Sequence, residues 1–99
     1  MPKRVLLVTR DLMFRAKLQA VVVAAAAEVA ADETSCDIAV IEVEARDWEA
    51  RIRTLVARGT PVLAFGSHVR ADQLRVARDA GAEAVPNSQV EQTLRALLA

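Results

Sequence analysis

The sequence contains a single cysteine, Cys36, so no disulfide can close within the chain and a cysteine-rich zinc site is excluded. A lone thiol fits a reducing, cytosolic compartment. Aromatic residues are only 3% of the chain, and its commonest residue, alanine, buries little area. The core must therefore rest on Val, Leu and Ile, each worth about 1.5–3 kcal/mol when fully buried. No glycine-rich loop is available to cradle a phosphate. Neither sign of charge dominates, because 13 Lys+Arg balance 13 Asp+Glu; a dedicated nucleic-acid binder would carry a basic excess. Long apolar runs are also missing. "VLLV", behind the basic start, is too short for a signal-peptide core or a membrane span. Neither a membrane nor a nucleic acid is expected as a partner.

What is present is an alternation of two apolar periods along 99 residues, enough for one domain (1–99) and one core. "VLLV" (5–8) reads as a short buried strand. Phe14, Leu18, Val21, Val22 and Ala25 then form one helical stripe, with Asp11 as its N-cap. Residues 27–31 are ambiguous: they either form a strand or continue the helix. "DIAVI" is a strand buried on both faces. Trp48, Ile52, Leu55 and Val56 mark a second helix ended by Gly59, and "TPVLAF" (60–65) a further strand. Leu74, Ala77 and Ala80 mark a helix stopped by Gly81, and "EAV" (83–85) a strand ended by Pro86. "SQVE" is a capping-box pattern, with Ser88 as N-cap and Glu91 at N3, before an inward stripe of Val90, Leu94 and Leu97.

Short buried strands alternating with helices predict a parallel sheet, right-handed crossovers and helices on both faces. Functional groups in such sheets gather beyond the carboxyl ends of the strands. Those positions carry Thr9, Arg10 and Asp11; Glu42 and Glu44; Gly66, Ser67 and His68; and Asn87 and Ser88.

"KRVLLVTRD", "DIAVIE", "PVLAFGS" and "ARDAGAEAVPNS", in this order and spacing, resemble the response-regulator receiver family over nearly the whole chain. The resemblance implies a flavodoxin-like three-layer α/β sandwich with a five-stranded parallel sheet of order 2-1-3-4-5. It also exposes a departure. Receivers carry a full helix between the second and third strands, whereas here only "DETSC" (32–36) is available. Five residues span at most about 17 Å, enough to cross to the third strand but not to fold a helix. That helix is expected to be missing or vestigial, leaving the flank beside the first strand poorly covered and open to association.

The resemblance also implies where chemistry would sit, and every such position has changed. The magnesium-binding acidic pair falls on Thr9 and Arg10, with Asp11 as the nearest acid. The phospho-acceptor position falls on Glu42, the switch hydroxyl on Gly66 (beside Ser67), and the lysine on Ser88. Transfer of a phosphoryl group to a carboxylate needs a divalent cation, and the cation needs oxygen ligands. Arg10 supplies positive charge instead, and Glu42 is one methylene longer than an aspartate, which displaces its oxygens from in-line geometry. An Arg10–Glu42 ion pair is the expected replacement for the metal contact, worth about 0–1 kcal/mol if partly exposed. Glu42 can alternatively be an ordinary solvated strand-end acid.

The remaining features read as ordinary. Ser67 and His68 are adjacent in a loop with no third group to make a nucleophile and base, and Cys36 is a plain thiol. Asp11 would repel an anion at the helix start that follows it. Arg70, Arg75, Arg78 and Arg95 are interspersed with Asp72, Asp79 and Glu91, a mixed solvated face. Val76, off the inward stripe of its helix, is a candidate contact, together with Arg75 and Arg95, on the surface receivers use for partners.

These readings predict a pseudo-receiver: a non-enzymatic signalling module without metal or cofactor that acts, independently of phosphorylation, on another signalling protein or a second copy of itself. Two alternatives are an atypical receiver that accepts phosphate with magnesium, and a flavodoxin-like domain binding a small anion or nucleotide at the strand ends.

Overall fold

The computed structural model describes residues 2–99. Five strands, β1 (Arg4–Val8), β2 (Glu28–Val29), β3 (Ile38–Glu42), β4 (Val62–Gly66) and β5 (Glu83–Pro86), alternate with four helices, α1 (Leu12–Ala24), α2 (Trp48–Ala57), α3 (Ala71–Asp79) and α4 (Val90–Leu98). The strands form one parallel sheet of order β2-β1-β3-β4-β5. The parallel sheet follows the alternating periods, and its order is the flavodoxin-like one that the resemblance implies.

The alternation of side chains along each strand divides the core in two. Val5, Leu7, Val40, Leu63, Phe65 and Val85 face α1 and α4, where Leu18, Val21, Val22, Val90 and Leu94 meet them. Leu6, Ala39, Ile41, Val62 and Ala64 face α2 and α3, packing with Ile52, Leu55, Leu74 and Ala77. Strands buried on both sides need apolar residues at every position, which is why "VLLV" and "IAVI" are unbroken.

Three helices end in the same device. The backbone N–H two residues past the cap bonds back to the carbonyl of the helix's third-last residue: Ala27 to Val22, Thr60 to Leu55 and Ala82 to Ala77. Each such Schellman motif needs a left-handed residue. Gly59 (φ 80°) and Gly81 (φ 105°) supply it for α2 and α3, but α1 uses Ala26 at φ 58°. The stripe assigned to Ala25 therefore stops one residue early: α1 ends at Ala24, and Ala25 is its exposed C-cap.

The ambiguous residues 27–31 contain a strand of only two residues, which pairs with Arg4 and Val5. Asp32–Cys36 then crosses to β3 with a single 3₁₀ turn (Glu33–Ser35) in place of a helix. The Asp32 carboxylate accepts from Thr34 N at 3.0 Å and Thr34 Oγ1 at 2.6 Å. These bonds, led by the Thr34 hydroxyl, hold its carboxyl below the usual 3.8. Arg51 of α2 pairs with Glu33 of the turn at 3.3 Å.

Where the missing helix would lie there is a groove of about 760 Å³, lined by Leu6, Val8, Ala31, Asp32, Ala45 and Arg51 among others. Its floor is better covered than the sequence suggests. Leu6 is only 7% exposed because it packs in one cluster with Ala30 and Val43. The expected bare apolar flank is thus a groove with a nearly closed floor.

The capping box is not formed. Asn87–Gln89 is a 3₁₀ turn, α4 begins at Val90, and no side chain caps it. The Val90 N–H bonds to the Asn87 carbonyl within that turn, so the backbone occupies the position in which Ser88 would have capped.

Candidate functional site at the strand ends

The β1–β3 register pairs Val8 with Ile41, which sets the next residues, Thr9 and Glu42, side by side at the sheet rim. Thr9 turns inward and is 8% exposed. Its Oγ1 donates to Glu42 Oε1 at 2.6 Å and accepts from the Asp11 N–H at 3.1 Å. The Asp11 carboxylate faces away from that junction, because Oδ1 accepts from Met13 N (2.9 Å) and Phe14 N (3.1 Å) and caps α1 as expected.

The Arg10–Glu42 ion pair is not formed. Among the described residues Arg10 makes no ion pair or side-chain hydrogen bond, and it is exposed. Arg10 lies in the bend past the end of β1, where its side chain stays in solvent. The hydroxyl reaches Glu42 without the entropy cost of fixing a long arginine.

Arg10, Asp11, Glu42, Val43, Glu44 and Ala45 bound a shallow depression of about 400 Å³ at the rim. Its three carboxylates are each committed elsewhere: Asp11 to the helix, Glu42 to Thr9, and Glu44 to α3. Glu44, at φ 78°, receives Arg70 Nε at 2.8 Å and Gln73 Nε2 at 3.2 Å. No group of three His, Cys, Asp or Glu among the described residues is arranged to hold a metal ion.

Gly66, which the resemblance sets at the switch-hydroxyl position, ends β4. A Cβ there would fall inside van der Waals contact of Val43 Cγ2, so the Val43 side chain fills the space a threonine or serine would need. Ser67 does not substitute. Its Oγ accepts from Val69 N at 3.4 Å and caps the 3₁₀ turn that leads into α3, with His68 exposed beside it. Ser88, at the lysine position, lies apart from this site. It lines a separate pocket of about 480 Å³ with Phe14, Lys17, Asn87, Glu91, Gln92 and Arg95.

Of the candidate interface residues, Arg75 and Val76 lie on α3 and Arg95 on α4, on opposite faces of the sheet with β5 between them. Arg75 is bound to Asp72, and Val76 is half-buried. Cys36 donates to the Glu33 carbonyl at 3.4 Å, and burial pushes its thiol up from the ordinary 9.0.

The chain is similar to solved receiver domains. It matches a CheY-like response-regulator receiver domain protein from Methanospirillum hungatei with a TM-score of 0.75 at 14% identity, covering 99% of this chain and 94% of that one. A response regulator protein from Burkholderia multivorans matches at TM-score 0.67 and 24% identity, over 99% and 95%. The BeF3-activated receiver domain of nitrogen regulatory protein C matches at 0.69 and 17%, over 99% and 92%. The fold is that of CheY-like receiver domains. No family model matches the sequence, and no curated protein does.

A magnesium ion implied by that fold does not fit this donor set. The rim here presents a threonine hydroxyl already bonded to Glu42, an arginine, and an aspartate whose oxygen caps a helix. The pairing of Thr9 with Glu42 and the filling of Gly66 by Val43 escaped the sequence reading. The first depends on the register between β1 and β3, a long-range pairing that local patterning leaves open. The second depends on the path of the β3–α2 loop, for which the sequence carries no signal.

Proposed function

We propose that this chain is a pseudo-receiver: a receiver-like module of two-component signalling that works by protein–protein contact, without phosphorylation and without catalysis. The observation that carries this reading is the 2.6 Å bond from Thr9 Oγ1 to Glu42 Oε1. It engages, in the resting chain, the carboxylate that would otherwise accept phosphate. The packing of Val43 over Gly66 supports the same reading, since a mobile switch hydroxyl has no room there. Without a reaction to perform, the module acts through its surface. Val76 with Arg75 on one side of β5, and Arg95 on the other, are the proposed contacts with another signalling protein.

The test is a titration with beryllofluoride and magnesium, followed by backbone chemical shifts. The expected result is that shifts of Thr9–Asp11, Glu42–Ala45 and Gly66–Ser67 stay where they are and that thermal stability is unchanged. A saturable response lost in Glu42→Gln would establish the phospho-accepting alternative. Stabilisation by a nucleotide or flavin instead would establish a ligand-binding domain.

A further inference from the structure

Strand β2 stops after two residues, and its neighbour β1 runs on without it. The last main-chain bond between them runs from the Ala30 N–H to the Val5 carbonyl, at 2.8 Å. Alternate residues of a strand point their main-chain groups to the same side. Leu7 therefore turns its N–H and carbonyl to the side that β2 has vacated. Its side chain packs against α1, so what Leu7 presents to the groove of about 760 Å³ is this open edge. Among the described residues, no group accepts from the Leu7 N–H. The edge carbonyls, by contrast, are taken. Arg15 reaches round from α1 and donates Nη2 to Leu7 O at 3.1 Å and to Thr9 O at 3.4 Å. Its Nε and Nη1 have no partner among the described residues.

The charge in the groove is one-sided too. Arg10, Arg15, Arg46 and Arg51 line it against Asp32 and Glu33. Glu33 is neutralised by Arg51 at 3.3 Å and Arg58 at 3.9 Å, and Asp32 Oδ1 is bonded to Thr34 and Ser35. Arg15 is half-buried, yet among the described residues neither it nor Arg10 has a carboxylate within ion-pair distance.

We propose that this groove binds a small organic anion: one carboxylate or phosphate group on an apolar body. The oxyanion accepts from the Arg15 guanidinium and the Leu7 N–H at the β1 edge, with Arg10 beside it. The body lies over Val8, Ala31 and Ala45. Charge-assisted donors held in a fixed fork suit such a group, and the two carbonyls fix Arg15 in place. The volume falls within the roughly 300–1,000 Å³ of small-molecule sites. A cation is opposed by the arginines. A peptide strand added along the edge needs acceptors as well as donors, and Arg15 occupies both carbonyls. The site needs neither magnesium nor a reaction. It therefore stands beside the pseudo-receiver reading, and a beryllofluoride response would leave it intact.

The test is a chemical-shift titration of the full chain with phenyl phosphate and with benzoate, up to about 20 mM and without magnesium. Benzyl alcohol and benzylamine are the neutral and cationic controls. The anions are expected to shift the Leu7 amide and the Arg15 Nε–H saturably, and the controls are not; the tighter anion identifies the headgroup. Arg15→Lys, which loses the fork, and Arg10→Ala, at an exposed position without bonds to maintain, are each expected to weaken binding about three- to tenfold. Arg53→Ala removes a charge that does not line the groove and is expected to bind as the wild type does. No saturable shift with either anion would overturn the proposal. So would an equal response to benzylamine, unchanged affinity in both groove variants, or an equal loss in Arg53→Ala.

Discussion

Thr9 Oγ1 donates to Glu42 Oε1 across the ends of β1 and β3, at 2.6 Å, and accepts from the Asp11 N–H in turn. One hydroxyl thus joins the acid at the strand end to the start of α1. Removing it strands a half-buried carboxylate oxygen and a backbone N–H together. Thr9→Val keeps the shape and loses both bonds, so it is expected to destabilise the chain by about 1–3 kcal/mol. Thr9→Ser is expected to recover most of that. Urea unfolding midpoints of the three proteins check it.

Gly66 is set by Val43 rather than by its own backbone conformation, since its φ is not among the positive ones. Gly66→Ala is expected to cost about 1–3 kcal/mol through overpacking. In a Val43→Ala background the added methyl has room, so the double variant is expected to be more stable than the sum of the single losses, by about 0.5–3 kcal/mol. A thermal-unfolding double-mutant cycle measures the difference, and strict additivity would disprove the packing account.

Ala26 performs at the end of α1 the role glycine performs for α2 and α3. A side chain in the left-handed region costs roughly 1–2 kcal/mol. Ala26→Gly at this exposed position is therefore expected to stabilise the chain by about 1 kcal/mol, with part of the gain offset by the greater freedom of glycine in the unfolded state. Chemical denaturation decides the sign.

Cys36 gives a pH dependence. Burial raises its thiol above the ordinary 9.0, partly opposed by the nearby Arg58 charge. A raised folded pKa makes the protonated thiol's contribution complete below pH 9.0, and that contribution is lost as pH rises through the folded value. The stability difference between the wild type and Cys36→Ala is expected to be flat from pH 6 to 8 and to fall above about pH 9. Parallel urea titrations at each pH check it.

The parallel sheet was legible because the evidence for it is local and repeated, whereas its strand order came only from the resemblance to receivers. β1, β3 and β4 are apolar runs, the helices carry apolar stripes, and Gly59 and Gly81 mark two helix ends. The α1 terminus was not legible, since an alanine took the left-handed position and left residues 27–31 ambiguous. The capping box misled for a related reason. Its spacing was right, but backbone bonds of the Asn87–Gln89 turn made it redundant.

Composition and periodicity by themselves determined that this chain would be a two-faced parallel sheet, because burial on both sides demands unbroken apolar strands; the short second crossover stood out only against the receiver resemblance, because five residues cannot coil into a helix. Which groups meet at the rim was a matter for the tertiary structure alone. Thr9, rather than Arg10, meets Glu42 because the register between β1 and β3 sets Thr9 beside it, while the chain has already bent away from the sheet at Arg10.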